Sequence, residues 1–319
     1  MIDIIIPNYN GVKELEICFA SLEKQTYRNF NVILADNGST DGSVKYTKSN
    51  FPHHEIVMLD KNYGFAKAIN AGLQFALAIN NSEYILLLNN DIELKEDFLA
   101  RGIETFQKIK EASFIAVKML NYFNRDVIDD CGDFIKVNGG SPFARGHGEK
   151  DTGQYDKPEF IFGACAGAAF YKKEVFDKIG IFDEDYFAYL EDLDFSFRLQ
   201  LAGYKCYYNP EIVCYHKRGE TSKKIDGFNI RMSEKNLIAL RLKNYPLSIY
   251  LKYTPLFFIA RIVRYYKFIK LHPPVIFRSA VKGYLKGLSE IPKTLRKRRK
   301  VQKTKCVHTK YIESLFGTE

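Results

Sequence analysis

Four short polar segments carry the residue types that nucleotide chemistry uses. Asp36-Asn37-Gly38-Ser39-Thr40-Asp41-Gly42 sits between an apolar run and a helix-like stretch. A carboxylate there can accept the N–H of a pyrimidine ring, and the turn exposes backbone N–H groups. The plainer reading is an Asn-Gly turn with Thr40 or Asp41 as helix cap. Asn89-Asn90-Asp91 follows the most apolar run of the chain. One carboxylate at a strand end suits a divalent cation held against a diphosphate, since Mg²⁺ takes one or two protein carboxylates and fills its shell with phosphate and water. The alternative is a polar exit from the strand. Glu191 and Asp192, with Asp194 close by, stand among Phe187, Tyr189, Leu190 and Phe195. Acids at a helix start complement its dipole, but these neighbours predict burial, and buried carboxylates need a partner or a task. His216 ends the strand-like Val213-Cys214-Tyr215-His216. A lone histidine is usually structural; this one is a metal-ligand candidate only where the fold brings it to Asp91.

These segments need a frame. Residues 2–6, 32–35, 56–59, 84–88 and 114–117 are short apolar runs that read as buried strands, and 11–25, 41–50, 65–80 and 95–110 have helical spacing between them. The alternation predicts an α/β fold with a mostly parallel central sheet. Such sheets bind ligands at the carboxyl ends of their strands, which here are 7–11, 36–42, 62–64 and 89–91. Residues 121–160 are irregular and Gly-rich, Gly139 included, and read as loops or a small sheet extension of an acceptor groove. A helix over 190–202 and short strands at 206–208 and 213–215 are expected after them.

Charge divides the chain. Residues 1–240 hold 28 Lys+Arg against 35 Asp+Glu, whereas 241–300 hold 16 cations and a single acid, Glu290. Such asymmetry suggests a charged partner surface for the C-terminal segment. Within it, Arg261, Arg264, Lys267 and Lys270 recur three apart among bulky apolar residues. That spacing predicts a basic amphipathic helix suited to an anionic membrane surface, over 245–300. Pro273-Pro274 breaks it, and a second helix over 276–288 follows. The competing reading is a helix packed on the rest of the protein with its charges solvated. No recognition motif supports nucleic acid. Six cysteines without a Cys-x-x-Cys pair argue against zinc and thioredoxin chemistry. No signal-peptide pattern opens the chain and no run of 18 apolar residues occurs, so a cytoplasmic, membrane-peripheral protein is expected.

As a set, the motifs resemble the family-2 glycosyltransferases, inverting enzymes of GT-A fold, across residues 1–225. Ile6-Pro7-Asn8-Tyr9-Asn10-Gly11 looks like that family's first strand and loop. Asp36 matches its base-binding residue. Asn62-Tyr63-Gly64-Phe65-Ala66, continuing through Lys67 to Asn70 and Gly72, resembles the version in rhamnosyltransferase-like and galactofuranosyltransferase-like members. Asn89-Asn90-Asp91 matches the Asp-x-Asp position with Asn89 replacing the first Asp, so the resemblance makes Asp91 the main metal ligand. Residues 163–169 resemble the block before the acceptor site. Glu191-Asp192 matches the Glu-Asp pair whose Asp is the catalytic base, and His216 matches a position that completes the metal site.

The resemblance implies a metal-dependent hexosyl transfer from a nucleotide-sugar, best matched by dTDP-rhamnose, with Mg²⁺ or Mn²⁺. Pro7, Asn8, Tyr9, Asp36, Asn62, Gly64, Lys67, Asn89 and Asn90 would line the donor site. The acceptor would be a glycan or lipid-linked glycan of bacterial-type cell-surface polysaccharide synthesis. The expected organisation is a donor half at 1–120, an acceptor and catalytic half of the same domain at 121–240, and a basic helical region at 241–319. A nucleotidyltransferase would show a Gly-rich loop with Arg or Lys after the first strand, which 7–11 lacks. A catalytically inactive binding module would have no use for Asp91, Asp192 and His216 together.

Overall fold

Near-continuous runs of Ile, Leu and Val make strands that must be buried on both faces. In the computed structural model, which describes residues 1–79, 82–137, 140–218 and 227–317, β1 (Ile2–Asn8), β2 (Phe30–Asp36), β3 (Glu55–Met58) and β4 (Tyr84–Leu88) pair in parallel in the order β3-β2-β1-β4. The crossovers are α1 (Val12–Glu23), α2 (Ser43–Asn50) and α3 (Phe65–Ile79). Residue 80, the expected end of the third helix, and Gly139 lie outside the described residues.

Then come β5 (Ile92–Leu94), α4 (Phe98–Lys108), β6 (Ala112–Asn121), β7 (Ile128–Asp130), β8 (Asp133–Ile135), β9 (Pro142–Ala144), β10 (Glu159–Ile161), β11 (Ala168–Lys172), α5 (Glu174–Ile179), α6 (Glu191–Leu201) and β12 (Lys205–His216). β11 enters antiparallel between β4 and β6, and β12 lies parallel to β6. Along the main path of the ten-stranded sheet, β3, β2, β1, β4, β6 and β12 therefore all point the same way. Their carboxyl ends share one edge. The Gly-rich stretch supplies β7 and the small antiparallel β8–β9 sheet.

The two short strands expected at 206–208 and 213–215 are one strand, β12, whose register against β6 shifts between Asn209 and Val213. Pro210 lies in that gap. A proline cannot donate to the ladder and is accommodated where pairing is interrupted, so the sequence reads as a break where the strand only bulges.

Ile5, Ile33 and Leu87 pack on one face of the sheet against Ala66, Ile69 and Leu73 of α3. Ile4, Leu34 and Leu86 pack on the other against Leu15, Phe19 and Leu22 of α1 and Phe98 of α4. The C-terminal helices are α7 (Phe228–Asn244), α8 (Leu247–Leu271), α9 (Pro274–Ser289), α10 (Ile291–Lys303) and α11 (Thr309–Ser314), and a third core joins α6 to α7, α8, α10 and α11 through Phe197, Leu240, Tyr245, Tyr253, Phe257, Val301, Ile312 and Phe316. The expected division at 240/241 falls inside α7. Two of the four cations expected on one exposed face of α8 are turned inward. Arg261 and Arg264 reach Glu234 of α7 at 3.4 and 2.8 Å, and that carboxylate is 2% exposed.

Candidate active site

Asn8, the last residue of β1, joins three of the expected loops. Its Nδ2 donates to Asp36 Oδ1 and to Ser39 Oγ, both at 3.1 Å, and its Oδ1 accepts from Asn90 Nδ2 at 2.7 Å. Asp36 Oδ2 accepts the Ser39 N–H. Asn37 extends the network: its Oδ1 accepts the Tyr63 N–H, and its Nδ2 donates to Asn62 Oδ1 and the Gly64 carbonyl. The turn at Gly38, φ +79°, brings the chain so close to Lys61 that a Cβ would lie 2.5 Å from Lys61 Cα. Pro7 is buried in the ladder opposite Ala35, and Tyr9 is half-buried just beyond. Lys67 Nζ pairs with Glu184 Oε2 at 2.9 Å.

The chain brings His216 to Asp91 by a device local patterns hide. β5 reverses after Asp91 and pairs antiparallel with β12, setting Ile92 opposite His216. His216 Nε2 then lies 3.3 Å from Asp91 Oδ1, and Nδ1 lies 2.7 Å from Asp129 Oδ2. Burial opposes charge on the ring, but Asp129 and Asp91 outweigh it and lift the His216 pKa to about 9. Burial likewise raises Asp129, yet His216, Arg218 and His147 hold its carboxyl below the usual range. Apart from its contact with His216, Asp91 Oδ1 is buried without a hydrogen bond, and Asn89 Oδ1 is buried without a hydrogen-bond partner. A buried carboxylate oxygen beside an imidazole nitrogen, with the ring's other nitrogen tied to a carboxylate, suits a divalent cation that displaces the ring's proton.

Asp192 is held at the same strand-end edge, because its partner Ala166 lies two residues before Ala168, which pairs with Leu88 at the end of β4. Leu190 adopts left-handed backbone at φ +68° and starts α6, leaving Glu191 and Asp192 in its first turn. Asp192 Oδ1 accepts the Leu193 N–H at 2.7 Å and Oδ2 the Ala166 N–H at 3.3 Å. Ala166 belongs to the segment that precedes β11, so 163–169 holds Asp192 in place. Asp192 is half-buried and Glu191 buried. Burial raises the Asp192 pKa, opposed by the Leu193 and Ala166 N–H groups; burial and then the Asp192 charge push Glu191 well above the usual range.

Sequence reading missed the acids around it. Burial pushes Asp130 up to about 7 against the Gly132 N–H, and burial plus the Asp192 charge raises Asp133. Arg218 supplies the facing cation, its Nη1 3.1 Å from Asp129 Oδ1. The available signal was three acids interleaved with Ile128, Cys131 and Phe134 in a stretch read only as irregular.

The mostly parallel sheet, with Asp36 and Asp91 at or just beyond the carboxyl ends of its strands, is the GT-A fold of glycosyltransferases. The chain belongs to glycosyl transferase family 2, whose family model matches residues 3–180. It is 26% identical over 232 residues to a Methanococcus voltae dolichyl N-acetyl-alpha-D-glucosaminyl phosphate 3-beta-D-2,3-diacetamido-2,3-dideoxy-beta-D-glucuronosyltransferase, covering 70% of this chain and 69% of that one. It is 23% identical over 246 residues to the N-acetylglucosaminyl-diphospho-decaprenol L-rhamnosyltransferase of Mycobacterium tuberculosis, covering 70% and 78%. Among solved structures, residues 1–349 of S. aureus TarS superpose with a TM-score of 0.56 at 14% identity, covering 98% of this chain and 89% of that one.

Proposed function

We propose that this glycosyltransferase moves one sugar, with inversion, from a nucleotide-sugar to a hydroxyl of a lipid-linked or polysaccharide glycan, with Asp192 as the base. The observation that carries the reading is the placement of Asp192, oriented by the Ala166 N–H, at the same strand-end edge as the Asp91–His216 pair. The acceptor oxygen attacks the anomeric carbon, the bond to the diphosphate breaks, and the proton passes to Asp192. A raised carboxyl pKa makes Asp192 a stronger base than a free aspartate. Burial and then the Asp192 charge raise the neighbouring Glu191 as well, so the two carboxyls act on each other. The Asn8–Asp36–Asn37 network holds the nucleotide, with Pro7, Tyr9, Asn62, Gly64, Lys67, Asn89 and Asn90 around it. Asp91 and His216 would hold Mg²⁺ or Mn²⁺, which supplies positive charge to the leaving diphosphate. Holding the two substrates in line supplies much of the remaining acceleration.

The donor in this reading is dTDP-L-rhamnose, supported by Asn62-Tyr63-Gly64-Phe65-Ala66 with Asn89 and by the similarity to a rhamnosyltransferase. Residues 1–120 serve the donor, 121–240 the acceptor, and 245–300 of the helical region 241–319 an anionic membrane surface at the cytoplasmic face, in cell-surface polysaccharide synthesis. Calorimetry with dTDP, UDP and GDP, with and without Mg²⁺ or Mn²⁺, tests the donor site. Binding should strengthen with metal, and Asp91→Ala should remove the gain; metal-independent binding in the wild type contradicts it. Transfer from a UDP-hexose with none from dTDP-rhamnose overturns the donor.

A further inference from the structure

α8 has two faces with different fates. Ile249, Tyr253 and Phe257 are buried in the third core. Leu251, Phe258, Ile259, Ile262, Tyr266 and Ile269 are between 58% and 69% exposed. At ~100° per residue these six fall within an arc of about 100°, a continuous stripe along the helix. Soluble surfaces rarely leave so large an apolar patch uncovered.

The cations sort by face. Arg261 and Arg264 are neutralised inward on Glu234. Lys267 and Lys270 of α8, with Arg278 and Lys282 of α9, are exposed and form no ion pair among the described residues. Glu290, the single acid of 241–300, is already taken by Lys235 and Lys286. No helix among the described residues is long and apolar enough to cross a membrane. An apolar stripe edged by unpaired cations, on a helix that does not span, is the pattern of a helix lying in a membrane interface. A second copy of the chain would bring two cationic faces together, which repel.

We infer that α8 lies in the plane of an anionic membrane leaflet with this stripe inserted below the headgroups and Lys267 and Lys270 among the phosphates. The inference rests on the membrane reading above and adds insertion to what charge alone would give. Lipid-linked acceptors and the enzyme would then share one surface.

The chain contains no tryptophan, so one introduced indole reports without background. Phe258→Trp places it on the stripe. Met58→Trp, on β3 and 61% exposed, is the control. Full-length protein is first co-sedimented with phosphatidylglycerol–phosphatidylcholine vesicles, then its fluorescence is compared in vesicles with and without brominated acyl chains. Insertion predicts that bound Phe258→Trp loses at least half its emission to bromine while Met58→Trp loses almost none. Sedimentation without quenching at Trp-substituted 258 overturns insertion and leaves the charge-driven membrane reading standing. No sedimentation at low salt overturns both. A blue-shifted Phe258→Trp spectrum without vesicles, with a dimer in ultracentrifugation, would show that a second copy covers the stripe and overturns insertion.

Discussion

Replacing Gly64 by alanine should slow transfer about a hundredfold through a ~1 Å displacement of the segment that leads into Asp192. Gly64 has φ +90°, and a Cβ there would lie 2.5 Å from the Phe187 carbonyl oxygen. That carbonyl accepts the Phe65 N–H at 2.6 Å, and Phe187, Tyr189 and Leu190 hold φ of +62°, +69° and +68° on the way into Glu191 and Asp192. Relaxing the contact to an ordinary ~3.5 Å requires this segment to move by about 1 Å. Left-handed backbone at alanine adds ~1–2 kcal/mol of destabilisation. Gly42→Ala separates the two effects: φ is +91° there, but the new Cβ meets nothing within 4 Å. Both variants should lose similar stability in urea unfolding, and only Gly64→Ala should lose turnover, read as nucleoside diphosphate release. Equal turnover in the two variants, or Gly64→Ala near the wild-type rate, would refute the coupling.

Asp129→Asn keeps the shape beside His216 Nδ1 and removes the charge, so Mn²⁺ affinity should fall by ~10–100-fold; an unchanged dissociation constant by calorimetry would show that Asp129 does not position His216. Asp183 sits between Lys243, at 2.5 Å, and Lys297. Burial opposes its charge, but Lys243 and then Lys297 hold its carboxyl far below the usual range. Because the folded pKa lies below the unfolded value of ~3.9, its stabilisation is complete above that pH and is lost as pH falls below it. Wild-type Tm should therefore fall as pH is lowered from about 4 towards 2. Asp183→Asn should be destabilised by ~3 kcal/mol at pH 7, leaving Lys243 short of a partner, and should show a shallower acid loss. A parallel acid profile in the two proteins would count against this pairing.

The strand ends that carry Asp36 and Asp91 were legible. Asp36 and Asp91 follow apolar runs that can only be buried strands, and parallel sheets gather such ends on one edge. What stayed hidden depends on pairing between distant segments. His216 meets Asp91 only because β5 turns back onto β12, and Asp129 lies 87 residues from His216 in a stretch without periodicity. The inward turn of Arg261 and Arg264 needs Glu234, on another helix, which a charge count along α8 does not reveal. Pro210 made one bulged strand look like two.

The central claim is that Asp192 takes the acceptor proton. The most direct test is Asp192→Asn, assayed for transfer from the donor that the binding screen identifies and for metal-dependent nucleoside diphosphate binding by calorimetry. The geometry predicts binding within about twofold of wild type and transfer reduced by ~10²–10⁴-fold, the usual worth of a general base. Turnover close to wild type with unchanged binding would contradict it.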